Sequence, residues 1–154
     1  MDKPIDIEIE KARKEDAAEL AAVSERAFHS DIDHGAPGLG GPPGYNLASW
    51  QARSMQLADY YKVVADAKIV GGLIIRRKAV REYEVSRIFI DPDYQGQGIG
   101  TSVMAFTQEA YPLAKRWTLD TPSWNQRSRR FYRKLGYREM REDASGLVFL
   151  EQLI

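Results

Sequence analysis

The residues best suited to chemistry fall in two short runs. The first is Gln95-Gly96-Gln97-Gly98-Ile99-Gly100-Thr101, entered through Val85-Ser-Arg-Ile-Phe-Ile-Asp-Pro-Asp-Tyr94. Glycine at alternate positions removes the Cβ from every second residue, so successive backbone N–H groups can close on a ligand. A helix N-terminus just beyond would add unpaired N–H donors and the positive end of a dipole, so the chemistry this run predicts is anion binding, as in a pyrophosphate cradle. It is neither the dinucleotide fingerprint G-x-G-x-x-G nor the P-loop G-x-x-x-x-G-K-(S/T). A glycine-rich surface turn is the competing reading.

The second run is Asn125-Gln-Arg-Ser-Arg-Arg-Phe-Tyr-Arg-Lys-Leu-Gly-Tyr137. On a helix, Asn125, Ser128 or Arg129, and Tyr132 share one face, while Phe131 and Leu135 share the neighbouring face and read as core. Gly136 stands where a helix C-terminus wants a left-handed residue.

Together these runs carry a resemblance. Gln95-x-x-Gly98-x-Gly100, between a strand and a helix, resembles the acyl-CoA signature (Gln or Arg)-x-x-Gly-x-(Gly or Ala) of the GCN5-related N-acetyltransferase (GNAT) superfamily. The later run resembles that family's Asn-x-x-(Ala or Ser)-x-x-Phe-Tyr-x-x-x-Gly-(Phe or Tyr). The resemblance implies an α/β fold, a mixed and mostly antiparallel sheet flanked by helices, with a splayed opening between strands four and five. It implies one acyl-CoA N-acyltransferase domain over residues 1–154, moving an acetyl group from acetyl-CoA to a primary amine by direct transfer in a ternary complex. Carried over, Ile88, Phe89 and Ile90 would offer backbone to pantetheine. Gln95, Gly96, Gln97, Gly98, Ile99, Gly100 and Thr101 would hold the pyrophosphate, and Asn125, with Ser128 on its face, would meet the pantetheine. Tyr132 matches the tyrosine that gives its proton to the departing thiolate.

The amine must lose a proton first: with pKa near 10.4, a lysine-like ammonium is neutral about once in 2,500 molecules at pH 7, a penalty of ~4.6 kcal/mol. Glu84, eleven residues before Gln95, has the spacing of the basic glutamate of the histone acetyltransferase branch. A plain solvent-facing strand carboxylate is the other reading. A backbone N–H near Ile90 is the candidate oxyanion donor. Ser86 has no activating partner in the sequence, cysteine is absent, and both histidines lie in one loop, so direct transfer is preferred to a covalent acyl-enzyme.

The elements that must position these residues read in order. Ile5, Ile7 and Ile9 alternate with acids as in a half-buried strand, and a helix opening at Lys14 carries Ala17, Leu20, Val23 or Ala27, and Phe28 on one face. Residues 29–46 are rich in glycine and proline and read as a loop without regular structure. Its His29, Asp31, Asp33 and His34, with Tyr45, are assigned to the acceptor; a metal reading of the first four lacks fixed geometry, so no metal is expected. Leu47 to Ala58 reads as a helix with Trp50, Met55 and Leu57 for packing. A hairpin follows around Asp66-Ala67-Lys68, with Gly71-Gly72 marking a bulge or close backbone approach. The central strand ends at Asp91-Pro92, a helix runs from Thr101 to Tyr111, a strand from Arg116 to Thr121, a helix from Asn125 to Leu135, and a hairpin ends the chain. The order β-α-α-β-β-β-α-β-α-β-β predicts an almost wholly sequential meander.

Composition sets outer bounds. The 154 residues carry 22 basic and 22 acidic side chains, so no whole-chain charge points to nucleic acid or membrane. Cysteine is absent, which excludes a disulfide framework and a zinc-thiolate site. The acidic, alternating N-terminus does not read as a signal peptide, so a cytoplasmic protein is expected, acting on a small-molecule or peptide amine; a homodimer is left open. Two alternatives remain: a non-catalytic acyl-CoA sensor, which would need neither Glu84 nor Tyr132, and a nucleic-acid module using the basic residues of 127–141.

Overall fold

A computed structural model describes residues 5–154. Its elements are β1 (Glu8–Lys11), α1 (Ala17–His29), α2 (Ala48–Leu57), β2 (Asp59–Ala65), β3 (Lys68–Ala79), β4 (Glu82–Ile90), α3 (Ile99–Ala110), β5 (Arg116–Pro122), α4 (Gln126–Lys134), β6 (Arg138–Glu142) and β7 (Leu147–Leu153). The element order agrees with the sequence reading. The sheet order, β1-β2-β3-β4-β5-β7-β6, corrects the sequential meander at one point. The last strand, β7, pairs antiparallel with β5, and β6 is left at the edge. The reason is burial: β7 places Val148 and Leu150 in the core, whereas β6 has no fully buried residue and tolerates an edge.

Two apolar layers sandwich the sheet. One joins Val63, Leu73, Val85, Trp117, Leu119 and Leu150 to α3 and to Tyr132 of α4. The other joins Tyr60, Ile74 and Phe89 to Leu20, Val23 and Ala27 of α1. Residues on β2, β3 and β4 feed both layers because alternate side chains leave opposite faces of a strand.

The glycine pair of β3 does both things expected of it. The β2–β3 register shifts between Val63 and Val64, leaving Val70 as the extra residue beside Gly71. A Cβ on Gly71 would lie 2.5 Å from the Phe89 carbonyl oxygen, and one on Gly72 would run into the Phe89 ring. The β2–β3 turn has Asp66 and Ala67 at φ 51° and 61°, the left-handed pair of a tight hairpin, achieved here without glycine.

In the 29–46 segment the expectation of no regular structure is corrected in part. Ser30–His34 continues α1 as a 3-10 helix, ended by Gly35 at φ 99°. The glycine–proline stretch beyond it has no helix or strand of its own. In α2, Leu57 is 63% exposed, so it does not pack as expected. Gln51 is the fully buried residue of that helix, its Nε2 donating to the Tyr45 carbonyl at 3.2 Å and its Oε1 accepting from the Tyr60 hydroxyl.

Candidate active site

The site begins where the sheet comes apart. Strands β4 and β5 pair in parallel only through Glu82–Arg116, Tyr83–Trp117 and Glu84–Thr118. Beyond Glu84 they diverge, so the β5-facing backbone edge of residues 85–90 has no strand partner. A bulge in β4 contributes: its register against β3 jumps from Ile74–Arg87 to Ile75–Val85, with Ser86 as the extra residue. Bulging bends the strand and re-aims side chains. Between the splayed strands opens a cleft of about 1130 Å³, walled by β4, the Gln95–Thr101 turn, β5 and the start of α4, and roofed by residues 36–43.

The glycine turn is built as expected. Gly96 and Gly98 have φ 75° and 83°, and a Cβ on either would meet nothing within 4 Å, so that side of the turn is open space in the cleft. Gly98 caps α3 from the left-handed region. Gly100 has a different role: its Cβ would come 3.3 Å from Phe131, so it keeps α3 close to α4. Ile99 is buried, which leaves only its backbone to serve a ligand, and Thr101 is exposed at the cleft. Gln95 Nε2 donates to the Ile90 carbonyl at 2.9 Å, fastening the turn to the end of β4. Gln97 points away and donates to the Asp93 carbonyl at 3.3 Å. The turn is entered through Asp91, buried at 7% exposure, which accepts from Arg26 at 2.7 Å and from the Asp93 N–H at 3.0 Å. Burial works to raise the Asp91 pKa, but these donors win and hold it below the usual carboxylate range.

On the other wall, Asn125 caps α4, its Oδ1 accepting the Ser128 N–H at 3.1 Å. Asn125, Ser128 and Tyr132 share the cleft face of that helix, as the spacing predicted. Tyr132 is 8% exposed; burial first, and then the charges of Asp120 and Asp31, push its pKa up, so its phenol holds its proton at neutral pH. Ile88, Phe89 and Ile90 line the cleft along the unpaired edge of β4, with the Phe89 side chain buried in the α1 layer.

The remaining assignments divide. Asp31 reaches the cleft, 3.6 Å from Arg127. His34 Nε2 is 2.9 Å from Arg127 Nη1, and His29 Nε2 is 2.8 Å from the Tyr45 hydroxyl. Asp33 is exposed and outside the cleft wall. Glu84 is half-buried at the vertex of the splay, 3.8 Å from Lys78, and does not itself line the cleft.

Two side chains that sequence reasoning passed over line this cleft, Asp120 and Arg87, together with Arg127, which the sequence placed only in a basic patch. Asp120 is the one charged residue of β5 after Arg116, between buried Leu119 and Thr121, and that alternation alone placed it on the opposite face. It opens to the cleft, yet its surroundings raise its pKa, chiefly by desolvation and then by the charges of Glu84 and Asp143. Part of the 127–141 basic set is engaged within the molecule: Glu139 binds Arg129 at 2.8 Å and Arg133 at 3.2 Å, and Arg141 lies 4.0 Å over Phe149, while Arg130, Lys134 and Arg138 are exposed.

A mostly antiparallel sheet opened along a single parallel pair, with a glycine turn at its mouth, defines the GNAT type of α/β fold. The chain belongs to the GNAT acetyltransferase family: the Acetyltransferase (GNAT) domain matches residues 57–139, more than half of the sequence. An uncharacterised N-acetyltransferase of Mycobacterium tuberculosis is 28% identical over 140 residues, covering 80% of this chain and 83% of that one. An uncharacterised protein of Bacillus subtilis is 32% identical over 73 residues, 47% of this chain; the match spans only 40% of that protein's length. The fold is shared with the PaiA N-acetyltransferase of Thermoplasma acidophilum, solved in complex with coenzyme A. That likeness has a TM-score of 0.81 at 19% identity and covers 97% of this chain and 100% of the other. Among the described residues no helix is long and apolar enough to cross a membrane.

Proposed function

We propose that this chain transfers an acetyl group from acetyl-CoA to a primary amine, directly and within a ternary complex. The observation that carries the reading is the splay itself: a cleft with an unpaired β4 edge on one side, the open glycine turn at its mouth and a protonated buried tyrosine on the other wall. The residues fit acyl-CoA. The N–H groups of the Gln95–Thr101 turn and the first turn of α3 suit a pyrophosphate, and residues 88–90 suit the amides of pantetheine.

Acetyl-CoA supplies an activated acetyl thioester. The chain's part is to orient the amine and move protons. Asp120, ionised above its raised pKa, takes a proton from the incoming ammonium, directly or through one water. Glu84 lies behind it and acts through its charge, keeping Asp120 the stronger base. As the new N–C bond forms and the C–S bond breaks, Tyr132 gives its proton to the leaving thiolate, and the second amine proton restores the phenol. A backbone N–H near Ile90 meets the carbonyl oxygen as charge gathers there. The test is thiol release from acetyl-CoA across a panel of primary amines, alongside calorimetry with CoA. CoA binding with no transfer to any amine would favour the acyl-CoA sensor instead.

A further inference from the structure

The β4 wall of the cleft holds a cation that feels the charge of Asp120 but is bound to no carboxylate among the described residues. Arg87 lines the cleft from β4, just past the bulge at Ser86. Its guanidinium lies 3.8 Å over the Trp50 ring, its second Nη donates to the Pro43 carbonyl at 2.5 Å, and Nη1 is buried with no hydrogen-bond partner. Among the described residues no carboxylate forms an ion pair with it, although Asp31 and Asp120 line the same cleft. Burial lowers its pKa only to about 10, so it stays charged at neutral pH. A half-buried, unpaired guanidinium is costly in a structure that does not use it. The one oxygen it does hold belongs to the glycine–proline roof, a segment with no helix or strand to anchor it.

Resting on the acetyl-transfer reading, we propose that Arg87 is the receptor for a carboxylate on the acceptor, so that the substrate class is an amine that also carries a carboxylate. The acceptor carboxylate takes the place of the Pro43 carbonyl and satisfies Nη1, giving the guanidinium the planar partner that it lacks. Its ammonium is then directed toward Asp120 and Tyr132 on the facing wall. Trp50 holds the guanidinium plane. The charges of the cleft are then those of a zwitterion in reverse: anion at Asp120, cation at Arg87.

The experiment compares amino carboxylates with their carboxamides as acceptors for acetyl-CoA. The intact protein is expected to favour the carboxylate in kcat/KM by about 10- to 100-fold, the range of a charged hydrogen bond, and Arg87→Gln is expected to abolish that preference. Arg87→Lys, which keeps the charge but not the fork, should restore part of it. Calorimetry of N-acetylated amino carboxylates binding to the CoA-loaded protein gives a readout besides turnover, and should show binding that Arg87→Gln loses while its thermal midpoint stays close to that of the parent. Carboxamides or diamines accepted as well as amino carboxylates would overturn the Arg87 assignment while leaving acetyl transfer standing. No transfer to any amine would overturn both.

Discussion

Arg127 Nη1 stands 3.0 Å from Gln95 Oε1 and 2.9 Å from His34 Nε2, so one guanidinium ties the start of α4 to the glycine turn and to the loop after α1. With Asp31 at 3.6 Å it fastens the Ser30–His34 turn to the glycine-turn end of the cleft. Arg127→Ala should therefore speed amide hydrogen exchange across residues 30–46 while leaving the β2–β3 hairpin unchanged. Because this guanidinium is partly exposed, the global loss should stay near or below about 1 kcal/mol. It should also raise the Asp31 pKa further, since the Arg127 charge opposes the desolvation that already lifts it. Unaltered exchange in the loop would show that the clamp does not hold it.

Asp120→Asn should reduce kcat/KM by about 10²-fold or more, the contribution of a general base, and should erase the acid limb of the pH–rate profile. The parent limb should lie above the usual carboxylate range because the Asp120 pKa is raised. The sign for stability is opposite to that for activity. A carboxyl whose folded pKa is raised favours the native state below its unfolded pKa, and that advantage fades as pH rises through the folded value. Asp120→Asn should therefore be slightly more stable than the parent at neutral pH. Glu84→Gln should shift the acid limb downward without removing it; a larger rate loss in Glu84→Gln than in Asp120→Asn would exchange the two roles.

Tyr132→Phe should lower kcat by about 10- to 100-fold with little change in CoA affinity, because a thiolate with pKa near 8.5 needs only modest help to leave. Rapid-mixing kinetics with saturating acetyl-CoA separate the two effects. Equal losses in CoA affinity and kcat would mean that the ring serves packing rather than proton transfer.

Gly98→Ala should weaken CoA binding and cost about 1–2 kcal/mol of stability, since φ 83° is strained for any residue with a Cβ even though open space surrounds it. Gly100→Ala should act differently, pressing on Phe131 and disturbing the α3–α4 contact rather than the cradle backbone. Calorimetry with CoA and thermal unfolding of both variants distinguish strain at the cap from crowding between helices.

Asp91→Ala should destabilise the fold by about 1 kcal/mol, because it removes the acceptor shared by the solvent-reachable Arg26 guanidinium and the Asp93 N–H at the entrance to the glycine turn. The Asp91 pKa is depressed, so this contribution is present above the unfolded carboxylate pKa and is lost as pH falls through the folded value. Denaturation midpoints of parent and variant should converge as pH falls below the usual carboxylate range; a gap that persists there would assign the loss to packing.

Local chemistry was legible in the sequence. Glycine spacing marked the turn that opens α3, Pro92 marked where the central strand stops, Asn125 and Gly136 bounded α4, and the period of Asn125, Ser128 and Tyr132 set their common face. Each of these is a short-range rule of backbone freedom or helical repeat. Long-range outcomes were not encoded that way. That β7 displaces β6 beside β5 follows from competition between two strands for one edge, decided by which buries more apolar surface. The bulge at Ser86, the splay beyond Glu84, and the arrival of Asp120, Arg87 and Arg127 in one cleft depend on register across strands far apart in the chain. Sequence could show that a carboxylate and an arginine were present. Only the tertiary structure decided which carboxylates come near Tyr132 and which arginine enters the cleft without a carboxylate bound to it.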